Sequence, residues 1–358
     1  MKTTIEFLVF GILSLVLTLI FIPIIKKNAV KVKLVDNPNY RKVHSTPVPL
    51  VGGISIAFSV LLLILISGNR LPFLIEYLSI ISSGFVLLIV GIIDDKNDVS
   101  AKYKLVIQLL LSFIVALAGV RISSLYGLLG IYEIAVWTQY LLTMIVITGV
   151  VNAFNLMDGV DGLVGGLSLL GFTMFFLNSI YFNDYFLGKI SIIFIGAIIG
   201  FLRFNLSKNK IFMGDSGSLF LGFILVTLGI KFMEKQSFAH TNYAYGFLLL
   251  VSLFSIPVLD SLRVYLGRVK QGNSPFKADN SHLHHLLLSV GLTHKKVAVS
   301  VVSLSMILFF IGFGLISYQS ISIIILLIMI VFWIVVRLLL VINNLHKWKE
   351  IIKKLEQR

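Results

Sequence analysis

The sequence predicts an all-α, polytopic membrane protein with about eleven transmembrane helices, its N-terminus outside and its C-terminus cytoplasmic. Three observations carry that expectation. Hydrophobic residues make up 58% of the 358-residue chain, and the mean hydropathy is +0.99, far from soluble composition. Apolar runs between charges last about 18–22 residues, the length that crosses a bilayer as a helix. The basic residues also segregate. If the loop 26–49 is cytoplasmic, 24 of the 30 Lys and Arg fall on that side in alternate loops, as the positive-inside rule requires. A missed span would scatter them, so the span count and the charges check each other.

In order, the spans read as 5–25, 50–67, 74–93, 104–120, 134–151, 163–182, 187–204, 217–233, 244–266, 298–317 and 321–341. The first is followed by Lys26-Lys27 and no small-residue cleavage site, so it reads as a span rather than a removable signal. Pro47 and Pro49 stiffen the approach to the second, which opens on Gly52-Gly53. The third closes on Asp94-Asp95, and Lys102, Lys104 and Gln108 begin the fourth. Residues 152–162 separate the fifth from the sixth, and a Gly-Asp-Ser-Gly stretch precedes the eighth. In the ninth, Asp260 is the one aspartate inside a span, against the paired set an intramembrane protease needs. A long polar segment, 267–297, precedes the last two spans. Residues 1–341 are read as one integral-membrane catalytic domain. Residues 342–358 are read as an amphipathic cytoplasmic tail with Leu345, Trp348, Ile352 and Leu355 toward membrane lipid.

Composition also excludes functions. With no cysteine there is no disulfide, thiol chemistry or thiolate metal site. The net charge of +14 is accounted for by positive-inside loops and attraction to anionic lipid and substrate, so nucleic acid is not an expected partner. No fixed-period repeat supports an inverted-repeat transporter, and such a transporter would place its charges near the bilayer midplane.

Instead, five aspartates gather at span ends on the cytoplasmic side: Asp94, Asp95, Asp158, Asp161 and Asp215. Carboxylates at such positions are costly and mark sites. Asn152, Asn155, Asp158 and Asp161 recur every three residues, near one helical face. They offer only oxygen ligands, which suits a hard cation such as Mg²⁺ or Mn²⁺. Gly214-Asp215-Ser216-Gly217 sits at a helix N-terminus, where free N–H groups can hold a phosphate. Lys104 can reach a phosphate from another helix end. Arg41, Lys42 and His44 form a basic approach able to receive an anionic head group. His282, His284 and His285 could bind zinc, but phosphate contact is the favoured reading. Acidic clusters repel phosphates unless a divalent cation lies between them. The combination therefore points to metal-dependent phosphoryl chemistry at a membrane.

With these residues in hand, the chain resembles the polyprenyl-phosphate N-acetylhexosamine-1-phosphate transferase superfamily (glycosyltransferase family 4). The markers are Asp94-Asp95 with Lys104 and Gln108, the Asn152–Leu163 motif, Phe212-Met-Gly-Asp-Ser-Gly-Ser218 and the late histidines. The segment Ser274-Pro-Phe-Lys-Ala-Asp279-Asn-Ser-His282-Leu-His284-His285 is similar to the WecA/TagO-like branch. The MraY-like branch, which uses UDP-MurNAc-pentapeptide, carries a different histidine motif. One departure is Asn280, where that branch often carries Arg; Lys277 or Arg268 would replace it.

The resemblance implies a bacterial plasma-membrane enzyme, a homodimer, with its active site on the cytoplasmic face. It implies transfer of GlcNAc-1-phosphate from UDP-GlcNAc to undecaprenyl phosphate, with UMP released. By position, Asp215 with Asn155 would hold Mg²⁺, and Asp94 and Asp95 would contact and deprotonate the lipid phosphate. Asp158 and Asp161 would border the donor site, with uracil near Asp161 and Phe212. His282, His284 and His285 would touch the donor's phosphates or sugar. The same chemistry on another UDP-N-acetylhexosamine, or on UDP-MurNAc-pentapeptide, is the alternative, and a cation-coupled transporter the remoter one.

Overall fold

A computed structural model describes residues 2–38, 46–68, 70–238, 244–274 and 281–356. Arg41, Lys42, His44, Lys277 and Asn280 lie outside the described residues. The protein is a helical membrane bundle. Its described helices are α1 (Lys2–Lys31), α2 (Gly52–Ile66), α3 (Arg70–Asn97), α4 (Ala101–Leu117), α5 (Val136–Leu156) and α6 (Leu163–Tyr181). They continue as α7 (Tyr185–Asn205), α8 (Gly214–Phe238), α9 (Ala244–Lys270), α10 (Leu283–Ser289), α11 (His294–Leu315) and α12 (Ile321–Glu356).

Each of the eleven expected spans falls on one of these helices; α10 is the short addition. Among the described residues, nine helices are long and apolar enough to cross a membrane. The other two, α2 and α4, have 15 and 17 residues, below the ~20 that cross a 30 Å core upright.

Burial ranks the helices. α8 is buried along nearly all its apolar length, whereas α1 and α12 are mostly exposed. A helix apolar on every side belongs inside a bundle, and α8 packs against α2, α3, α5, α6 and α9. The N-terminus of this central helix is therefore ringed by other helix ends, and the acidic motifs meet there.

Among the described residues, two small antiparallel ladders accompany the helices. β1 (Val35–Asp36) pairs with β2 (Val48–Pro49), and β3 (Ser124–Leu128) pairs with β4 (Ile131–Glu133). Residues 342–356, read as an amphipathic cytoplasmic tail, continue α12 without a break. No glycine or proline interrupts Ile321–Glu356, so nothing ends the helix. Leu345 and Trp348 on it are exposed.

Candidate active site

All five aspartates line one cavity of about 630 Å³, together with Lys104, Lys210, Phe212, His285 and His294. Close backbone approach builds it. A Cβ on Gly53 would lie 2.2 Å from Gly217 Cα, and one on Gly91 would lie 2.3 Å from Ser216 Cα. Glycine at both positions lets α2 and α3 touch the first turn of α8. The proline-stiffened entry docks beside them: the Gly52 N–H donates to the Phe212 carbonyl (3.0 Å) and the Phe212 N–H to the Pro49 carbonyl (2.9 Å).

Asp95 has a task that its place in the sequence did not disclose. The backbone N–H groups of Asp215 and Ser216 donate to its two oxygens at 2.7 and 3.2 Å. A carboxylate from α3 thus caps α8, with the favourable sign for a helix N-terminus. Gly214 is held at φ +74°, and a Cβ there would lie 2.5 Å from Asp95 Oδ2. The N–H groups of Asp215 and Ser216, expected to be free for phosphate, are therefore taken by protein. Asp95 is committed to them, while its neighbour Asp94 turns elsewhere.

Asp94 accepts from the Val99 N–H at 2.7 Å and pairs with Lys104. The same ammonium lies 3.0 Å from Asp215 Oδ2. Lys104 thus bridges two of the motifs, and Asp215 remains about one-third exposed at the cavity. One turn along α4, buried Gln108 accepts from Asn152 Nδ2 at 2.6 Å, and Asn152 also donates to the Thr148 carbonyl at 2.9 Å. Asn152 therefore joins α4 to α5 and is not among the cavity-lining residues. This bond sets the face of α4 that carries Lys104.

On the opposite wall, Asp161 is held by Lys210 Nζ at 2.7 Å and His294 Nδ1 at 3.4 Å. Lys210 also lies over the Phe212 ring. Asn205 staples this wall: its Oδ1 accepts from the Gly162 N–H at 2.6 Å and its Nδ2 donates to the Ile211 carbonyl at 2.8 Å. Burial pushes the Asp161 carboxyl up, but bonds from His294 and Lys210 outweigh it and hold the group below its usual range. Asp158 behaves oppositely. Burial, then the charges of Asp215, Asp95 and Asp161, hold it well above the carboxylate range.

The sign for Asp161 gives a test. A depressed carboxyl contributes stability above its unfolded pKa of about 4, and loses it as pH falls through the folded value. Asp161→Asn is expected to cost about 1 kcal/mol at pH 7, with the gap to wild type closing below about pH 4. Thermal denaturation at the two pH values checks this; an equal gap at both would show that the bonds are not ionic.

The three histidines divide. His285 is on the cavity wall. His282 and His284 are 4% and 2% exposed and are not among the lining residues. His284 packs on Gly159, where a Cβ would lie 3.1 Å from its Nε2. Burial, then neighbouring His285 and His282, lower its pKa to about 3. It is a neutral ring at working pH, so the expected positive charge toward phosphate is absent at this position. Arg268 is buried beside Tyr265 and is not a lining residue either.

Residues 77–233 match glycosyl transferase family 4. The chain is 32% identical over 286 residues to the probable undecaprenyl-phosphate N-acetylglucosaminyl 1-phosphate transferase of Bacillus subtilis, covering 79% of this chain and 78% of that one. It belongs to glycosyl transferase family 4. It is also 33% identical to an undecaprenyl-phosphate alpha-N-acetylglucosaminyl 1-phosphate transferase of Yersinia pestis, covering 82% and 80% of the two chains. The protein of that name in Escherichia coli K12 is 31% identical with the same coverage. The family 4 match takes in every acidic motif and ends before the histidine segment.

The donor set of this family 4 site fits a hard cation. Among the described residues, no group of three or more His, Cys, Asp or Glu is arranged to hold a metal. Mg²⁺ characteristically takes one or two protein carboxylates and completes its shell with substrate phosphates and water. Asp215 is open to the cavity, and Asn155 lies beside it. Asn155 Nδ2 donates to Ser218 Oγ at 2.9 Å. A half-turn of the amide would make Ser218 the donor and exchange the positions of amide nitrogen and oxygen.

Proposed function

We propose that this protein transfers GlcNAc-1-phosphate from UDP-GlcNAc to undecaprenyl phosphate, releasing UMP and forming undecaprenyl-diphospho-GlcNAc. The work is done at the cytoplasmic face of a bacterial plasma membrane. One observation carries the reading: the five motif aspartates, with Asp36 and Asp98, two lysines and two histidines converge in a single cavity at one end of a lipid-immersed bundle. The names of its relatives supply the donor sugar and the acceptor.

In this reading, an oxygen of the lipid phosphate attacks the β-phosphorus of the donor. The new P–O bond forms as the bond to the bridging oxygen breaks, and UMP leaves with the electron pair. A phosphate monoester's second pKa is about 6, so the nucleophile is largely ionised at neutral pH and a general base adds little. Mg²⁺ held by Asp215 and Asn155 would neutralise charge on the diphosphate. Lys104, already between Asp94 and Asp215, is placed to pair with an incoming phosphate. His285 and Lys210 line the donor side, and Phe212 offers a flat apolar face there. Asp95 keeps Asp215 in place by capping α8. Positioning and charge neutralisation then account for most of the rate.

UMP release by purified protein, with undecaprenyl phosphate and Mg²⁺, tests the proposal. Turnover is expected with UDP-GlcNAc and to vanish when lipid or metal is withheld. Activity only with UDP-GalNAc or UDP-MurNAc-pentapeptide would keep the chemistry and overturn the donor. A folded protein releasing no UMP from any of the three would overturn both.

A further inference from the structure

Asp260 is fully buried in α9, and no step above uses it. A buried carboxylate is expensive unless its oxygens are satisfied, and these are. Oδ2 lies 2.8 Å from His282 Nδ1, and Oδ1 accepts from Arg263 Nη2 at 2.7 Å. The Leu283 N–H is shared between both oxygens at 3.1 Å. Arg263 Nη2 in turn donates to the Ser281 carbonyl at 2.6 Å. One ion pair on α9 therefore grips three successive residues: the carbonyl of 281, the ring of 282 and the amide of 283. His282 is the N-cap residue of α10, and its own side chain makes no capping bond. Asp260 supplies the cap from another helix, as Asp95 does for α8.

The contact also determines chemistry. A carboxylate only accepts, so His282 Nδ1 must carry a proton. In the neutral ring the lone pair is then on Nε2, which is buried and without a hydrogen-bond partner among the described residues. The rings of His282 and His284 stack 5.8 Å apart, and His284 meets His285 at 4.3 Å. Packed rings thus connect His282 to His285 on the cavity wall.

We propose that Asp260 is a positioning residue for the transfer reaction: it fixes the Nδ1–H form of His282 and anchors α10 so that His285 stands at the donor's phosphates. This rests on the proposed transfer activity. Asp260→Asn separates the role from simple anchoring. Arg263 can only donate, so the amide oxygen turns to it and the NH₂ group faces His282, favouring the Nε2–H form. The Leu283 N–H still reaches the oxygen.

The test uses the full chain as wild type, Asp260→Asn, His282→Ala and the double variant, with thermal stability followed alongside. Asp260→Asn is expected to lower kcat for UMP release about 10²-fold, as a small misplacement does, with KM for UDP-GlcNAc changed less than about threefold. In the His282→Ala background the same substitution should cost little more. Histidine ¹⁵N spectra should show one Nδ1–H signal that is absent in His282→Ala and switched to Nε2–H in Asp260→Asn. Wild-type kcat in Asp260→Asn, an equal loss in both backgrounds, or an unswitched tautomer would overturn the proposal. A wild-type protein releasing no UMP would count against the transfer reading and any role within it. The spectra would still report the Asp260–His282 bond by itself.

Discussion

Asp215→Asn is expected to lower turnover by about 10³-fold while leaving the protein folded. Asparagine keeps the shape of the side chain, and its oxygen can still accept from Lys104, which lies 3.0 Å away. The cap that Asp95 places on α8 uses the backbone N–H groups of 215 and 216, so it survives the change. What is lost is one negative charge at the mouth of the cavity, where a divalent cation would bind. UMP release across a Mg²⁺ titration measures this. A variant that turns over normally, or that shows an unchanged metal requirement, would remove Asp215 from the metal site. A higher Mg²⁺ concentration for half-maximal rate, together with slow turnover, is the expected pair of results.

The second large effect comes from a residue with no chemistry. Gly91→Ala would place a methyl 2.3 Å from Ser216 Cα, 2.5 Å from its N and 2.7 Å from the Asp215 carbonyl carbon. All three are backbone atoms of a helix packed on every side, so no side chain can swing away. Overpacking of this kind costs about 1–3 kcal/mol. The strain is relieved only by moving the first turn of α8, and with it Asp215. A shift of about 1 Å at a site costs about 10²-fold in rate. We therefore expect a lowered thermal midpoint together with a loss of UMP release. Gly149→Ala on α5 is the control. A Cβ there meets nothing within 4 Å, and alanine in a helix interior is favoured over glycine by about 1 kcal/mol. Equal damage at the two positions would mean that the α3–α8 contact does not position the site.

Much of the fold was legible because the bilayer imposes it. Each span is a local run of apolar residues whose length is dictated by membrane thickness. The helices answer the eleven readings nearly one for one, apart from α10. Residues 342–356 continue α12 because no glycine or proline there breaks the helix. At the site, the Asp motifs were legible as oxygen-rich clusters at helix ends. Lys210, Asn205 and His294 were not. Each stands in an ordinary loop or helix-end context, and each gains meaning only from a partner far along the chain: Asp161 for two of them, Gly162 for the third. Lys210 had one usable signal, its place two residues before Phe212.

By itself, the sequence determined the class of protein, the sites of its acidic motifs and the family it belongs to. These depend on composition, spacing and short motifs, all readable along the chain. Tertiary structure alone decided the division of labour within those motifs. It made Asp95 a cap and left Asp215 open. It turned Asn152 toward α4, buried His282 on Asp260 and left His285 at the cavity. Neighbours of one residue type separated in this way because helix packing gives each a different environment. One carboxylate meets backbone N–H groups, the next an ammonium, another the open cavity, and the charge each can offer a substrate follows from that partner.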